Sequence, residues 1–247
     1  MILIGAGLGL IAGSFLAVLT GRWPQGLAIT GRSRCDGCGG QLGALELVPL
    51  LSFLMLRGRC RQCGAAIAPR HLAIELAAAV VGAAMLWRYP LGPGLAAALA
   101  GWWLLALIVL DAEHQWLPDR LTLPLIPVGW AVGELLGFAG PWDRAAAALL
   151  GFGGLAALRL AYRWRTGREG MGGGDPKLLA GIGVLLGAAA LPFILTGAAL
   201  LGLALALLDR LRGRAVSATT ALPFGALLAG MALIMVMIGP DWLALVR

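Results

Sequence analysis

Long apolar runs separated by short polar connections make up most of this chain. A helix needs about 20 predominantly apolar residues to cross a bilayer, and fewer when flanking residues reach towards the interface. Eight stretches are candidates for such spans: 1–19, 72–88, 93–110, 121–139, 145–162, 178–190, 192–208 and 222–239. They predict an all-α polytopic membrane protein, a bundle of about eight transmembrane helices.

Two features of this pattern affect the number of spans. Residues 178–208 form one apolar run that is too long for a single span, so we expect the chain to turn back at Pro192. Without that turn, seven spans remain. The first stretch has no basic residues before its apolar core, as a cleavable signal would have, and we expect it to stay as an anchor.

The composition agrees with a membrane protein and excludes a soluble globular domain. Hydrophobic residues make up 60% of the chain and charged residues 13%, whereas an average soluble domain has about 25% charged residues. The net charge is +7, but nucleic-acid binding is not expected of so apolar a chain. The 38 glycines predict helices that pack closely through small residues.

The basic residues lie mainly in alternate connections between the predicted spans. Sixteen of the 19 Lys and Arg residues fall within 20–71, 111–120, 159–177 and 209–220, whereas Arg88, Arg144 and Arg247 fall on the other side. Basic residues are retained on the cytoplasmic side, so this distribution places those connections in the cytoplasm and both chain ends outside it. A second role in attracting anionic lipid head groups is the less favoured interpretation.

All four cysteines lie in the largest polar insertion, residues 20–71, as two C-x₂-C knuckles. They are Cys35, Cys38, Cys60 and Cys63. Two such knuckles supply the four thiolates that suit Zn²⁺, and a metal with four protein ligands is expected to be structural and not catalytic. Two disulfides are one alternative, which the predicted cytoplasmic location disfavours. A redox dithiol is another, but no βαβ pattern surrounds either knuckle.

The remaining candidates for chemistry are carboxylates. A zinc protease needs a motif such as H-E-x-x-H, but His71 and His114 are the only histidines and are far apart. The serines have no plausible histidine base inside a span. Asp111 ends one apolar stretch and Asp175 precedes another. Ionisable groups at the edge of the hydrocarbon layer are functional-site hypotheses by default, so these aspartates predict an acid/base pair that hydrolyses peptides.

The chemistry of such a pair follows from the closeness of two like charges. Two carboxylates a few ångströms apart share one proton, so one acts as a base on water while the other donates to the scissile carbonyl. Four glycines among residues 170–174 permit positive φ and a close approach of substrate backbone to Asp175. The alternatives are a flexible linker or a helix N-cap formed by Asp175, with Pro176 at the first helical position. Capping and catalysis are compatible.

Several short motifs occur in one order along nearly the whole chain. They are Gly13-Ser14-Phe15-Leu16-Ala17-Val18 with Arg22-Trp23-Pro24, Gly31-Arg32-Ser33-Arg34-Cys35, Arg57-Gly58-Arg59-Cys60, Leu117-Pro118-Asp119-Arg120-Leu121-Thr122-Leu123-Pro124, Gly172-Gly173-Gly174-Asp175 and Pro223-Phe224-Gly225. In this combination the chain resembles the type IV prepilin peptidases, which are bacterial membrane aspartic proteases of the G-x-G-D type. Members of that family are leader peptidases and N-methyltransferases of type IV pilus and type II secretion systems.

The resemblance implies a membrane aspartic endopeptidase with Asp111 and Asp175 as the catalytic residues. Its substrates would be prepilins or pseudopilins, cut after the leader on the cytoplasmic side of the bacterial inner membrane. Bifunctional members carry the cysteine loop and methylate the new N-terminal residue with S-adenosylmethionine, so methylation is expected here. The implied scheme is a first transmembrane helix at 1–19, a zinc loop at 20–71 and a protease core at 72–247. The sequence has no Rossmann fingerprint for the methyl donor.

Six further residues are assigned to substrate binding or to supporting roles: Gly172, Gly174, Lys177, Glu75, Glu46 and Asp119. Glu46 and Glu75 are the candidates for contact with the methyl donor or the amine, and for Glu75 a hydrogen-bonding or packing role has equal weight. Asp119 is expected to cap the helix that follows it. Lys177 either lowers the pKa of Asp175 by its positive charge or extends its amine to the interface.

Two departures from the family pattern leave alternatives open. Ala17 stands where the family usually has Asn, and His71 and Leu72 replace a usual Tyr-Pro pair. Ala17 keeps open a monofunctional peptidase whose zinc loop is only a scaffold. From another class, an ion-coupled membrane carrier would use the two aspartates as ion ligands near broken helices, but no inverted repeat is visible. The sequence does not determine the oligomeric state.

Overall fold

The computed structural model describes residues 1–35, 37–213 and 222–245. The helices in these residues are α1 Ile2–Arg22, α2 Leu51–Met55, α3 Pro69–Arg88, α4 Leu91–His114, α5 Asp119–Thr122, α6 Leu125–Leu136, α7 Pro141–Thr166, α8 Gly174–Leu186, α9 Ala190–Leu211 and α10 Phe224–Ile238. Short 3₁₀ turns occupy Trp23–Gln25, Ala44–Leu47 and Pro240–Leu245. Within the described ranges the only bridges are two isolated ones, so the all-α prediction is confirmed. Asp36 and Arg247 lie outside the described residues.

Among its described residues, the structure has fewer helices of membrane-spanning length than the eight spans predicted from the sequence. In the described part of the chain, five helices are long and apolar enough to cross a membrane: α1 with the 3₁₀ turn after it, α3, α4, α7 and α9. The predicted spans 121–139 and 222–239 contain α6 and α10, and the predicted span 178–190 overlaps α8, which begins earlier, at Gly174; these helices have 12, 15 and 13 residues. At 1.5 Å per residue these helices are about 18 to 23 Å long, shorter than a hydrocarbon core of about 30 Å.

The turn expected at Pro192 lies earlier in the chain. Helix α8 ends at Leu186, and Gly187 has a φ of +88°, which reverses the chain before α9 begins at Ala190. Pro192 is the third residue of α9. Proline is tolerated there because the N–H groups of the first turn have no intrahelical partner, whereas positive φ requires a residue such as glycine.

Two compact units divide the chain, Met1–Trp102 and Trp103–Arg247. In the first unit α1 packs against α3 through glycines. A methyl group added at Gly9 would lie 2.6 Å from the Cα of Ala79, and one added at Gly13 would lie 2.6 Å from the Cα of Glu75. The two backbones therefore approach more closely than any side chain allows, as small residues permit where no hydrophobic force joins helices in lipid.

Arg70, in the first turn of α3, binds the C-terminal end of α1. Its Nη1 donates to the carbonyl of Ala17 at 2.9 Å, and its Nη2 donates to the hydroxyl oxygen of Thr20 at 2.6 Å. A cation beside the last carbonyls of a helix complements the helix dipole. Ala17 itself is 1% exposed. Where the prepilin peptidases usually have Asn, this chain buries a methyl group and uses the backbone carbonyl as the polar contact.

Helix α8 is the centre of the second unit. Eleven of its 13 residues are buried, and α6, α7 and α10 pack around it. Small residues again set the contacts, since a methyl group added at Gly183 would lie 2.7 Å from the carbonyl oxygen of Ala147, and one added at Gly151 would lie 2.9 Å from that of Leu179. A helix enclosed by protein in this way can be shorter than a lipid-facing span.

A buried arginine ties α6 to α7. Arg144 is 1% exposed, forms an ion pair with Glu134, and donates through Nη2 to the carbonyl oxygen of Gly133 at 2.6 Å. A buried charge is tolerated only when it is paired and hydrogen-bonded. Its neighbour Asp143 accepts a hydrogen bond from the Ala188 N–H at 2.9 Å. These two contacts fix the connections at the shared end of α6, α7 and α8.

The α1–α3 contact predicts a large difference between two glycines of α1. Gly9→Ala introduces a methyl group against the backbone of α3, and overpacking of this kind costs about 1–3 kcal/mol. At Gly7 an added methyl group meets nothing within 4 Å, and alanine is the better helix former, so Gly7→Ala is neutral or slightly stabilising. Thermal unfolding in detergent measures both. Equal unfolding temperatures for the two variants would contradict this packing.

Candidate active site and cysteine cluster

Asp111 lies in the last turn of α4 and is 6% exposed. Its Oδ2 accepts a hydrogen bond from the Ala226 N–H at 2.7 Å, and the Gly225 N–H also points at this carboxylate. Both donors belong to the first turn of α10, where backbone N–H groups have no intrahelical partners. The N-terminus of α10 is therefore a binding site for a negative charge on Asp111.

Asp175 lies in the first turn of α8 and is 5% exposed. The expected N-cap role is wrong, because Gly173 is the capping position and no side chain makes a capping hydrogen bond. Pro176 is accordingly the third residue of the helix and not the first. Since the helix starts at Gly174, the side chain of Asp175 is turned into the interior of the second unit.

The two carboxylates converge on Gly225. A methyl group added at Gly225 would lie 2.9 Å from Oδ1 of Asp175 and 3.1 Å from Oδ2 of Asp111, so these two oxygens are within about 6 Å of each other. The predicted pairing of Asp111 and Asp175 therefore corresponds to an actual proximity. Two buried carboxylates this close favour a state in which they hold one proton between them, because two neighbouring negative charges repel each other.

The glycines before Asp175 serve close packing and not positive φ. None of the glycines at 170–174 has a positive φ, so that part of the expectation is wrong. Instead, a methyl group added at Gly174 would lie 2.5 Å from the Cβ of Leu117, and one added at Gly172 would lie 3.3 Å from Oδ2 of Asp175. Leu117 also touches Gly225, since its Cδ1 lies 2.5 Å from the position of the absent methyl group. Larger residues here would displace Leu117 or Asp175.

The connection from α7 to α8 is held by Glu169. Its Oε2 accepts hydrogen bonds from Nε of Arg159 at 3.1 Å and from Nη2 at 2.8 Å, and Arg163 pairs with its Oε1 at 3.1 Å. The hydrogen bond from Arg159, together with the charges of both arginines, lowers the pKa of Glu169 below its usual range. The guanidinium of Arg159 also faces Gly173, so a positive charge lies beside the loop that presents Asp175.

Lys177 and Asp119 bind each other. Nζ of Lys177 lies 2.6 Å from Oδ1 of Asp119. Asp119 is the first residue of α5, with Pro118 at the capping position, so the expectation that Asp119 caps a helix is wrong. The ammonium group of Lys177 is thus directed at Asp119, and this ion pair joins the first turns of α5 and α8.

Glu46 and Glu75 both bind backbone N–H groups in the first unit. Oε2 of Glu46 accepts from the Gly43 N–H at 2.6 Å, and Oε2 of Glu75 accepts from the Leu50 N–H at 2.9 Å. Glu75 is 9% exposed. The hydrogen-bonding role considered for Glu75 is therefore present in the structure, and both carboxylates hold the polypeptide between the two knuckles.

The four cysteines form a cluster that could hold a metal ion. Their Sγ atoms all lie within 4.8 Å of one another, and those of Cys35 and Cys63 are 3.8 Å apart. Tetrahedral coordination with Zn–S distances of about 2.3 Å requires sulfur atoms about 3.8 Å apart. The Gly37 and Gln62 N–H groups each donate to a knuckle sulfur at 3.4 Å. The site therefore fits a four-thiolate metal ion.

The sulfur chemistry agrees with this interpretation and not with disulfides. All four cysteines are free, and a distance of 3.8 Å is far longer than the roughly 2.05 Å of an S–S bond. The backbone N–H groups of Cys63 and Gln62 point at the sulfur of Cys60 and lower its pKa to about 7, whereas burial and the neighbouring sulfurs raise the pKa of Cys63 to about 11. A thiol that ionises near neutral pH is a ready metal ligand.

Sequence reasoning missed the contribution of α10. The motif Pro223-Phe224-Gly225 was noted without a role, yet its helix start supplies the N–H groups that bind Asp111. A proline before the first turn is a helix-start signal that points to free N–H groups. Nothing in the sequence indicates that those groups face a residue 115 positions earlier.

The fold and this site define a polytopic membrane protein with two buried carboxylates close together in its second unit. Two family models match the chain: Bacterial Peptidase A24 N-terminal domain over residues 8–89, and Type IV leader peptidase family over residues 98–207. No solved structure matches it.

Its relatives are described as prepilin leader peptidase/N-methyltransferases. The protein from Dichelobacter nodosus is 41% identical over 199 residues, which cover 80% of this chain and 68% of that protein. The Aeromonas hydrophila protein is 44% identical over 69% of this chain and 59% of its own length. The Stutzerimonas stutzeri protein is 34% identical over 90% of this chain and 85% of its own. The chain therefore belongs to the type IV leader peptidase family.

This membership confirms the predicted enzyme class, a leader peptidase, and the names of the relatives add an N-methyltransferase activity to that class. The carrier has no support among the comparisons.

The convergence on Gly225 predicts that this position tolerates no side chain. Gly225→Ala would place a methyl group against both carboxylates, so peptidase activity should fall at least about a hundredfold, as a displacement of about 1 Å can cause in an active site. Gly230→Ala, in the same helix, is the matched control, because its methyl group meets nothing within 4 Å. Cleavage rates of the two variants measure the effect. If Gly225→Ala kept full activity, the groups that carry out cleavage would not be the two carboxylates beside Gly225.

Proposed function

We propose that Asp111 and Asp175 are the catalytic pair with which this leader peptidase hydrolyses its substrate. The observation that carries the proposal is that two buried carboxylates, from α4 and α8, lie within about 6 Å of each other at the N-terminus of α10. Other carboxylates have other partners: Asp119 binds Lys177, and Glu169 binds Arg159. The pair therefore has the enclosed setting in which a shared proton can be transferred.

The contacts of the two aspartates support different roles. The α10 N–H groups bind Asp111 and favour its negative charge, so we assign it the role of the base that takes a proton from water. Asp175 then carries the shared proton and donates it to the oxygen of the scissile carbonyl as water adds to the carbon. Collapse of the tetrahedral intermediate breaks the C–N bond, and the leaving amine takes the proton held by Asp111. Asp175 regains its proton when the carbonyl reforms.

The proposed substrates are prepilins or pseudopilins, each with a leader in the cytoplasm and an apolar helix in the membrane. The names of the relatives support prepilins as the substrate class. The distribution of basic residues supports an active site that faces the cytoplasm, and the bacterial relatives support a location in the inner membrane. Roles in a type IV pilus or in type II secretion follow from that substrate class.

The methyl donor for the second activity is proposed to be S-adenosylmethionine. It would supply a methyl group to the amine that cleavage frees. Glu46 and Glu75 remain the proposed contacts, although in the structure each carboxylate holds a backbone N–H through its Oε2. Gly172, Gly174, Lys177 and Asp119 are proposed to support the site through the packing and the ion pair described above.

Zn²⁺ is the metal proposed for the cysteine cluster. Cys35, Cys38, Cys60 and Cys63 would hold it, and with four sulfur ligands the ion would have a structural role.

We further propose the scheme of an anchor at 1–19, a zinc loop at 20–71 and a protease core at 72–247. The alternative of a monofunctional peptidase predicts cleavage without transfer of labelled methyl groups from S-adenosylmethionine.

The catalytic assignment predicts that either isosteric change removes cleavage. Asp111→Asn and Asp175→Asn keep the side-chain shape but cannot share a proton, so cleavage of a membrane-embedded prepilin should fall by a factor of about 10⁴ or more. Glu113→Gln is the matched control, because this exposed carboxylate lies outside the pair. Rates are measured with purified protein in proteoliposomes, with metal content as a check on folding.

The outcomes separate the hypotheses. Loss of cleavage in both variants with unchanged metal content supports the pair. Retained cleavage in both would refute the assignment and direct attention to another acid, with Asp119 first.

The zinc proposal predicts about one Zn²⁺ per chain, measured by elemental analysis of the purified protein. Cys60→Ser removes the buried ligand and should lower zinc content and the unfolding temperature together, because metal binding contributes folding free energy. Gln62→Ala changes a neighbouring side chain that is not a ligand and should keep the zinc. The proposal would be contradicted if the unchanged protein were fully folded and free of zinc, or if Cys60→Ser unfolded at the same temperature as the unchanged protein.

A further inference from the structure

The segment between the two cysteine knuckles is unusually apolar for a connection outside the predicted spans. Residues 42–56, called here the interknuckle segment, contain a single charged residue, Glu46. A stretch of this length is too short to cross a bilayer as a helix and is typical of interfacial or re-entrant segments. It belongs to the first unit, and its chemistry is not used by the proposed peptidase mechanism.

The apolar side chains of the interknuckle segment have little cover. It contains the 3₁₀ turn Ala44–Leu47 and the five-residue helix α2. Four of its large side chains are more than half exposed: Leu45 79%, Leu51 52%, Leu54 61% and Met55 70%. A concentration of exposed leucine and methionine within one short segment indicates a surface that contacts an apolar medium or partner.

Both acidic residues near this segment hold it in place. Glu46, the only carboxylate of the segment, accepts a hydrogen bond from the Gly43 N–H within the same segment. Glu75 binds the Leu50 N–H from the side of α3. Glu75 is the seventh residue of α3, and at 1.5 Å per residue it lies about 9 Å along the axis from the start of that helix. The segment is therefore bound to the side of the membrane-spanning helix α3 at its second turn.

Basic residues flank the apolar segment on both sides. Arg32 and Arg34 precede it, and Arg57, Arg59 and Arg61 follow it; all five are exposed. Arginines in this arrangement complement the phosphates of anionic lipids, which attract basic residues on the cytoplasmic side of a membrane. Apolar side chains next to exposed arginines are the composition of segments that lie in the bilayer interface.

We propose that the interknuckle segment lies in the interface of the bilayer that α1 and α3 cross, with Leu45, Leu54 and Met55 among the upper acyl chains and the flanking arginines against anionic head groups. The occupant of this surface is thus lipid. The two hydrogen bonds to Glu46 and Glu75 give the segment its depth. This inference is independent of the peptidase assignment.

The test measures the depth of single positions in the purified full-length protein. A genetically encoded fluorescent amino acid replaces Leu54 in one variant and the exposed Gln62, in the second knuckle, in its matched control. Each is reconstituted into vesicles that contain anionic phospholipid brominated in the upper acyl chains, below the head groups. Fluorescence at position 54 should be quenched at least about threefold more than at 62, because the apolar face of an interfacial segment reaches about 5–10 Å into the boundary between head groups and acyl chains. Equal quenching at both positions would overturn the proposal.

Two further arms distinguish lipid from a peptide partner. Arg57→Gln combined with Arg59→Gln should weaken quenching at position 54, with the metal content of the cysteine cluster checking that the loop is folded. A membrane-embedded prepilin is then added to the vesicles. If position 54 is unquenched by lipid and changes its emission only when the prepilin is present, the surface binds a peptide and the lipid proposal fails.

Discussion

The hydrogen bond from the Ala226 N–H to Asp111 is the contact on which the candidate active site depends. It joins the last turn of α4 to the first turn of α10, and it gives a buried carboxylate the partners that burial requires. Gly225 lets the backbone of α10 come this close, and the same absence of a side chain admits Asp175 from α8. One close approach therefore assembles both carboxylates and leaves them enclosed within the second unit.

Small residues serve the same purpose throughout the molecule. Gly9 and Gly13 bring α1 against α3, and Gly151 and Gly183 bring α7 against α8. In lipid no hydrophobic force joins helices, so backbone proximity and hydrogen bonds must hold them. The ion pair of the buried Arg144 with the exposed Glu134 is the polar counterpart of these contacts. Helices packed this tightly hold the two carboxylates more rigidly than loops would.

The apolar pattern predicted the long helices well and the short ones poorly. The predicted spans overlap α6, α8 and α10, but hydropathy does not reveal that these helices are only 12 to 15 residues long. Each of the three ends at a glycine with positive φ, namely Gly137, Gly187 or Gly239. A hydropathy pattern records neither these glycines nor the enclosure of a helix by other helices. For the same reason, Pro192 was a plausible turning point from sequence but lies inside the first turn of α9.

By itself the sequence determined the chemistry available to this protein. Runs of apolar residues require a membrane, two knuckles supply four thiolates, and only a few carboxylates lie near the ends of spans. Tertiary structure decided how those groups are used. It brings Asp111 close to Asp175 and forms the ion pair between Asp119 and Lys177. It also places Glu46 and Glu75 where each accepts a hydrogen bond from a backbone N–H group. The reason is physical: residue type and local spacing fix what a group can do, but its partner depends on which helices touch, and glycines distant in sequence set those contacts.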